Sequence, residues 1–284
     1  MCMCKVISVV NNKGGVGKTT STSVIAELLA SVGLRILVID LDEQSNLSMF
    51  FGSYVEDNEA VISGISVPEK FNIAELFRYR YRQPEDVKTL ISDTNVENVS
   101  IIPSSKRFQR IAYEIMQNPG NNNILLKKAL QGIKDDYDFI LIDNAPASNI
   151  LTVNSMFASD YVLVPVKTEG YSYKGLKETM ASILYIKEEH DLDNLKFLGV
   201  FATQVNPIAN AYKEYRTMCE RDLQGKFFQI AIRQDTKISE VEQKFRPVLQ
   251  YCPKSNAVKD YVHLILELQI LADESAMKIT EKYL

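Results

Sequence analysis

Residues 5–22, KVISVVNNKGGVGKTTST, constrain this chain more than any other stretch. Val6, Ile7, Val9 and Val10 read as a buried strand, and Gly14, Gly15 and Gly17 then free the backbone to curl until several N–H groups converge on one anion. Over residues 20–31 the apolar positions Val24, Ile25, Leu28 and Leu29 have the spacing of a helix packing one face on a sheet, and Gly33 ends it. Strand, glycine turn and helix in this order make a phosphate cradle. The helix adds the positive end of its dipole, Lys18 supplies a formal charge where β and γ phosphates would lie, and Thr19 is the natural Mg²⁺ ligand.

The same alternation of strand and helix continues. Residues 35–40 (RILVID) form a second buried strand at the distance expected of a βαβ unit with a right-handed crossover, which delivers Asp40 and Asp42 to the edge that carries the glycine turn. Residues 99–103, 137–143, 161–166, 197–203 and 227–232 read as further strands, and the apolar run 139–142 puts Asp143 at a strand's carboxyl end. Helices are expected over 106–116, where Lys106, Arg107 and Arg110 lie, and over 124–133, 170–190 and 256–272. In the last, Val258, Tyr261, Val262, Ile265, Leu268 and Ala272 recur at steps of three and four. Residues 118–123 (NPGNNN) read as a plain loop. The expected fold is α/β, a mostly parallel twisted sheet with helices on both faces.

The glycine turn departs from the ordinary P-loop pattern G-x-x-x-x-G-K-[ST], since Asn12 stands where the first glycine belongs. Lys13, Gly14, Gly15, Val16, Gly17, Lys18, Thr19 and Thr20 instead match the deviant Walker A form K-G-G-x-G-K-[ST] and resemble the ParA/MinD group of ATPases. Residues 40–46 (DLDEQSN) resemble that family's D-x-D-P-Q-x-N signature, with Glu43 for the usual Pro and Ser45 for the usual Gly. Residues 143–148 (DNAPAS) are similar to its D-x-x-P-S region, with Ala147 where a serine is usual. Residues 151–154 and 162–166 also follow family form, Ile238-Ser239-Glu240 resembles its R-[LI]-S-E segment, and Arg246-Pro247-Val248 resembles G-K-P-V.

The resemblance implies an ATPase with ATP and Mg²⁺ as ligands. Lys18 and the loop amides would hold phosphates, Thr19, Asp40 and Asp143 would serve the metal, and Asp42 would orient the attacking water. Lys13 would reach across a nucleotide-sandwich homodimer to the partner's phosphates, so that ATP occupancy and association are coupled. Thr203, Asn206 and Pro207 stand where the family contacts adenine, while the proline that usually follows the strand ending at Ile232 is Arg233 here. Sequence-tolerant DNA binding is implied as well, with Arg233, Lys237, Lys244 and Arg246 as the candidate residues. The function so implied is DNA partition by a form without an N-terminal helix-turn-helix, with a ParB-like adaptor that stimulates hydrolysis and a cytoplasmic, nucleoid-associated location.

Composition bounds the alternatives. A chain of 284 residues, 46% hydrophobic and 24% charged, suits one large α/β domain over 1–284, with residues 53–98 as an inserted segment of poor periodicity apart from short helices at 71–77 and 84–91. Within that segment Arg78-Tyr79-Arg80-Tyr81-Arg82 reads two ways: as a phosphate-gripping, base-stacking run, or as packed tyrosines between solvated arginines. A formal net charge of −4 excludes a polycation that coats nucleic acid but leaves room for a local basic face. No stretch reaches the roughly 18 apolar residues of a membrane span. A MinD-like membrane-positioning ATPase is the alternative, and residues 276–284 make a poor amphipathic anchor for it. A metal-cluster carrier of the same superfamily would need bridging cysteines; Cys2, Cys4, Cys219 and Cys252 have no such spacing and read as reduced thiols.

Overall fold

The apolar runs are the strands of one twisted sheet, and their period-two alternation decides which helices cover which face. The computed structural model describes residues 3–54, 72–79, 83–105, 107–117, 121–146, 149–169 and 172–284. In chain order the elements are β1 (Lys5–Val9), α1 (Lys18–Ala30), β2 (Ile36–Leu41), α2 (Asn46–Phe50), α3 (Ile73–Tyr79), α4 (Pro84–Lys88), β3 (Ser92–Asp93) and β4 (Val99–Ile102). Next come α5 (Arg107–Gln117), α6 (Leu125–Gln131), β5 (Phe139–Asn144), α7 (Ile150–Ala158), β6 (Tyr161–Lys167), α8 (Ser172–Glu189) and β7 (Lys196–Val205). The chain continues through α9 (Asn210–Leu223), β8 (Phe227–Arg233), α10 (Thr236–Lys244), α11 (Val248–Tyr251), α12 (Asn256–Glu267) and α13 (Asp273–Tyr283).

Among the described residues the sheet has eight strands in the order β3-β4-β2-β5-β1-β6-β7-β8. Every neighbouring pair is parallel except β3 with β4, so the carboxyl ends of the seven remaining strands share one edge. That edge is where a parallel α/β sheet places its ligands. On β2, Ile36 and Val38 pack with α1 and α12 while Leu37, Ile39 and Leu41 pack with α3, α5 and α7; on β5, Phe139 and Leu141 alternate with Ile140 and Ile142 in the same way. A third cluster joins Val162, Val164, Val166 and Val200 to Leu176 and Ile183 of α8 and Tyr215 of α9. Each fully buried Val, Leu or Ile contributes about 1.5–3 kcal/mol to this sandwich.

The alternation also aims the acids. Asp40 and Asp143 are register partners on β2 and β5, and each lies in phase with the residues that face α1. Both carboxylates therefore arrive beneath the N-terminus of that helix.

Two sequence expectations are corrected here, and a third is untouched. Residues 121–124, expected as loop up to 123, form a 3₁₀ turn leading into α6, and residues 118–120 lie outside the described residues. The edge strand β3, and the helices α2, α7, α9, α10, α11 and α13, were not expected. The Arg78–Arg82 run lies outside the described residues apart from the α3 backbone at 78 and 79. Lys106, Ala147 and Ser148 also lie outside them, as does the side chain of Arg107.

Candidate functional site

Glycines shape the cradle where side chains would fail. Gly15 has φ +71° and Gly17, the N-cap of α1, has φ +81°, a left-handed conformation that costs any L side chain about 1–2 kcal/mol. The first helical bond of α1 runs from Ser21 N to Gly17 O at 2.9 Å. The amides of Lys18, Thr19 and Thr20 therefore have no helical acceptor and point, with the helix dipole, into the cradle. Lys18 is 6% exposed and donates from Nζ to Lys13 O at 3.1 Å, across the mouth of the loop. Burial lowers its pKa, against the pull of Asp143 and Asp42.

Residues ahead of the glycines are bolted to two other elements. Asn11 Nδ2 donates to Pro165 O on β6 at 2.8 Å, and Asn11 Oδ1 accepts from Lys13 N at 2.8 Å and from Thr179 Oγ1 on α8 at 3.2 Å. Asn12 donates from N to Thr179 Oγ1 and from Nδ2 to Ser182 Oγ, both at 3.2 Å. Lys13 is exposed, and its Nζ donates to Ser172 Oγ at the start of α8, 3.2 Å away. In this conformation the lysine is folded back on its own chain.

The acids sit below. Thr19 Oγ1 donates to Asp143 Oδ2 at 2.7 Å, and Asp143 Oδ1 is buried without a hydrogen-bond partner among the described residues. Burial first, then the neighbouring Asp40, pushes the Asp143 carboxyl well above the usual range. Asp40 is otherwise employed: Oδ1 accepts from Asp42 N at 3.1 Å, and Oδ2 accepts from Ser48 N at 2.9 Å and Ser48 Oγ at 2.7 Å. Burial raises its pKa to about 7 in spite of these donors. Asp42 Oδ1 accepts from Gln44 N at 2.9 Å. Asp40 thus fixes the segment 42–48, while Asp143 presents an open oxygen.

This donor set suits a hard cation. No group of three or more His, Cys, Asp or Glu able to hold a metal occurs among the described residues. A Mg²⁺ here would rest on the Thr19 hydroxyl, one or two carboxylates, water and phosphate oxygens, which is how Mg²⁺ is commonly bound. The orphaned Asp143 Oδ1 fits such a ligand.

A cleft leads from Gly17 and Thr20 along Thr203 and Gln204 to Arg233, Gln234 and Asp235. Thr203 is buried and donates from Oγ1 to Val16 O at 2.9 Å. Asn206 and Pro207 are exposed beyond the end of β7, outside that lining. Arg233 is held by Asp260 of α12, with Nε to Oδ2 at 2.8 Å and Nη2 to Oδ1 at 2.7 Å, and it lines the cleft. Lys237, Lys244 and Arg246 are exposed on or just after α10, and Lys244 Nζ lies 5.1 Å from the centre of the Tyr251 ring. Of the four basic candidates, three share a surface and one belongs to the cleft wall.

Sequence reasoning passed over Asn11, Ser48, Glu242 and Asp260. Only Asp260 left a signal, an acid inside the apolar phase of its helix. Cys4, Cys219 and Cys252 are buried free thiols, and burial pushes Cys4 and Cys219 up to about 12, which leaves them unreactive.

A family model described as an AAA domain (AAA_31) matches residues 4–197. The chain is 29% identical over 266 residues to the sporulation initiation inhibitor protein Soj of Bacillus subtilis, covering 94% of this chain and 98% of that protein. It is 27% identical over 264 residues to the chromosome partitioning protein ParA of Myxococcus xanthus, covering 93% and 87%. Among solved structures, an ATP complex of McdA from Cyanothece superposes with TM-score 0.78 at 19% identity, covering 96% of this chain and 99% of that one. A putative plasmid partition protein of Borrelia burgdorferi bound to AMPPNP superposes with TM-score 0.71 at 22% identity, covering 98% and 99%. The structural likenesses establish a shared fold.

Proposed function

The chain belongs to the AAA_31 family of AAA domains, and from that premise we propose that it is a ParA-type partition ATPase. It hydrolyses ATP, associates as an ATP-bound homodimer, binds DNA without sequence preference, and releases it when a ParB-like adaptor stimulates hydrolysis. The observation that carries this reading is the Thr19–Asp143 contact beneath the free amides of α1, with Lys18 spanning the loop above it. Near full-length similarity to Soj and ParA supports the cellular role.

In this reading Lys18 and the amides of residues 14–20 bind the phosphates in place of water, and most of the rate effect is placement and electrostatics. Thr19 and Asp143 would hold Mg²⁺, which would supply positive charge to the phosphate oxygens. Asp42, with Oδ1 fixed by Gln44 N, keeps Oδ2 to orient a water. Asp40 positions Asp42 through its amide. Thr203 and the turn after β8 flank the base. Lys13 leaves Ser172 and reaches the second protomer's phosphates, so the dimer exists only while ATP does. Lys237, Lys244 and Arg246 supply phosphate contacts that are salt-sensitive and indifferent to sequence. The location is then the nucleoid; no helix among the described residues is long and apolar enough to cross a membrane.

The test is binding to non-specific duplex DNA and to anionic liposomes in the presence of ADP, ATP and a slowly hydrolysed analogue. ATP-dependent DNA binding that is lost in Lys13→Ala is expected. Liposome binding with DNA ignored would overturn the reading in favour of a membrane-positioning ATPase.

A further inference from the structure

Thr20 stands third in α1, in the turn whose amides face the cradle, and its hydroxyl donates to Glu242 Oε1 on α10. A threonine hydroxyl has one hydrogen to give. While Glu242 takes it, no other acceptor can. Glu242 and Thr20 also form the partition between two clefts at this end of α1. One is the cleft along Gly17, Thr203 and Arg233, and the other, of ≈ 380 Å³, is lined by Thr19, Asn46, Phe50 and Phe245. Among the described residues no lysine or arginine is ion-paired with Glu242. Its negative charge is balanced instead by the Thr20 hydroxyl and by the positive end of α1. An acid thus sits on the Thr20 side of the helix N-terminus, apart from the Asp143 carboxylate that takes the Thr19 hydroxyl.

We propose that Glu242 is a resident anion that competes with a nucleotide phosphate for the Thr20 hydroxyl and the N-terminal field of α1. Phosphate binding displaces the carboxylate, and α10 loses its polar tie to the cradle. The inference rests on the reading of this cradle as the ATP site. It adds two consequences: Glu242 sets the affinity for nucleotide, and it makes the position of α10 depend on occupancy. Lys237 and Lys244 lie on that helix and Arg246 follows it, so the basic surface is attached to the element that moves. The helix itself does not rely on this contact. Asp235 caps it by accepting from Lys237 N at 3.0 Å, and Ile238 and Val241 are buried beneath it.

Binding of a fluorescent ATP and a fluorescent ADP to wild type, Glu242→Gln and Glu242→Ala tests this, together with amide hydrogen exchange over residues 236–246. Removing the charge is expected to tighten both nucleotides by about tenfold, as loss of a like charge beside the phosphates should. In wild type, exchange over 236–246 should rise on adding nucleotide, and in Glu242→Ala it should already be raised without it. The glutamine variant preserves shape and acceptor, so it reports the charge even where alanine loosens the helix. Unchanged or weakened binding in Glu242→Gln would overturn the proposal. A wild-type protein that binds neither nucleotide would instead remove the ATP reading on which it rests.

Discussion

Asp143 and Asp40 are neighbours in register yet carry different loads. Asp40 uses its oxygens on Asp42 N and on both donors of Ser48, whereas Asp143 Oδ1 is buried with no partner among the described residues. An orphaned acceptor beside a second carboxylate is a stability cost that a structural residue would not retain. Asp143→Asn is therefore expected to raise the thermal stability of the nucleotide-free protein at pH 8, by roughly 1–3 kcal/mol, while abolishing Mg²⁺-dependent phosphate release. A melting curve and a phosphate assay on the same preparation check both halves. Ser48→Ala removes one of three donors to Asp40 without adding bulk, and its hydroxyl also accepts from Ser104 N at 2.8 Å. Loosening segment 42–48 in this way should lower kcat about five- to tenfold with KM for ATP little changed, as steady-state kinetics would show. At this scale the sequence was informative about the acids and silent about what holds them. Asp40, Asp42 and Asp143 sit in recognisable strings, while Ser48 is one serine among many until β4 brings Ser104 beside it. Ser45 is instructive too. It occupies φ +56° at the N-cap of α2, the conformation for which the family's signature uses glycine.

Elements are tied together by buried carboxylates that cap backbone amides. Glu27 of α1 is 2% exposed and accepts from Val248 N at 2.9 Å and Leu249 N at 2.8 Å at the start of α11. Burial outweighs these two donors and raises its pKa to about 7. The folded state thus holds a proton that the unfolded chain releases near the ordinary glutamate value. The resulting stabilisation is complete below about pH 4.5 and is lost as pH rises through about 7. Glu27→Gln has no charge to bury; it keeps an acceptor for one of the two amides and turns an NH2 toward the other, a cost that does not change with pH. The variant's melting temperature relative to wild type should climb from pH 5 to about pH 7 and level off above it; a constant difference would show that Glu27 is not protonated in the fold. The Arg233–Asp260 pair joins β8 to α12 in a similar way, with Asp260 also accepting from Arg233 N at 2.9 Å. Asp260→Ala should cost about 1–3 kcal/mol in chemical denaturation, since it strands an amide and a half-buried guanidinium. Helices of this kind explain what could not be read in advance. In α9 the buried set is Tyr212, Tyr215 and Cys219, three positions in a run otherwise rich in charge, and in α10 it is Ile238 and Val241 alone. Where the family's G-K-P-V segment has its glycine, Phe245 ends α10 at φ +48°, so the usual stop signal is missing from the sequence while its backbone conformation is kept.

Over the whole molecule, legibility follows burial on two sides. Strands β1, β2, β5 and β6 are covered on both faces, so they are continuous apolar runs that no helix imitates, and the parallel order follows from the crossovers between them. The antiparallel pair β3–β4 involves only Ser92 and Asp93 opposite Ile101 and Ser100, and a two-residue edge strand has no pattern to find. Close approach between strands leaves its own mark at Gly199, where a Cβ would lie 2.7 Å from Lys226 O and from the Phe228 ring. Such a mark is visible only once β7 and β8 are paired. The same holds for function. The glycine turn announces a phosphate site in eight residues, but the contacts that join it to α8 through Asn11 and Thr179, and to α10 through Glu242, cross more than a hundred residues of chain. These long-range ties make the shape of the glycine turn's surroundings a property of the whole fold and not of the loop alone. The central claim, that ATP builds a dimer through Lys13, is tested most directly by the sedimentation mass of the protein with and without a slowly hydrolysed ATP analogue. The mass should double with the analogue in wild type and stay at that of one chain in Lys13→Ala. A wild-type protein that binds the analogue and remains a single chain, or a Lys13→Ala variant that dimerises as readily, would contradict the account.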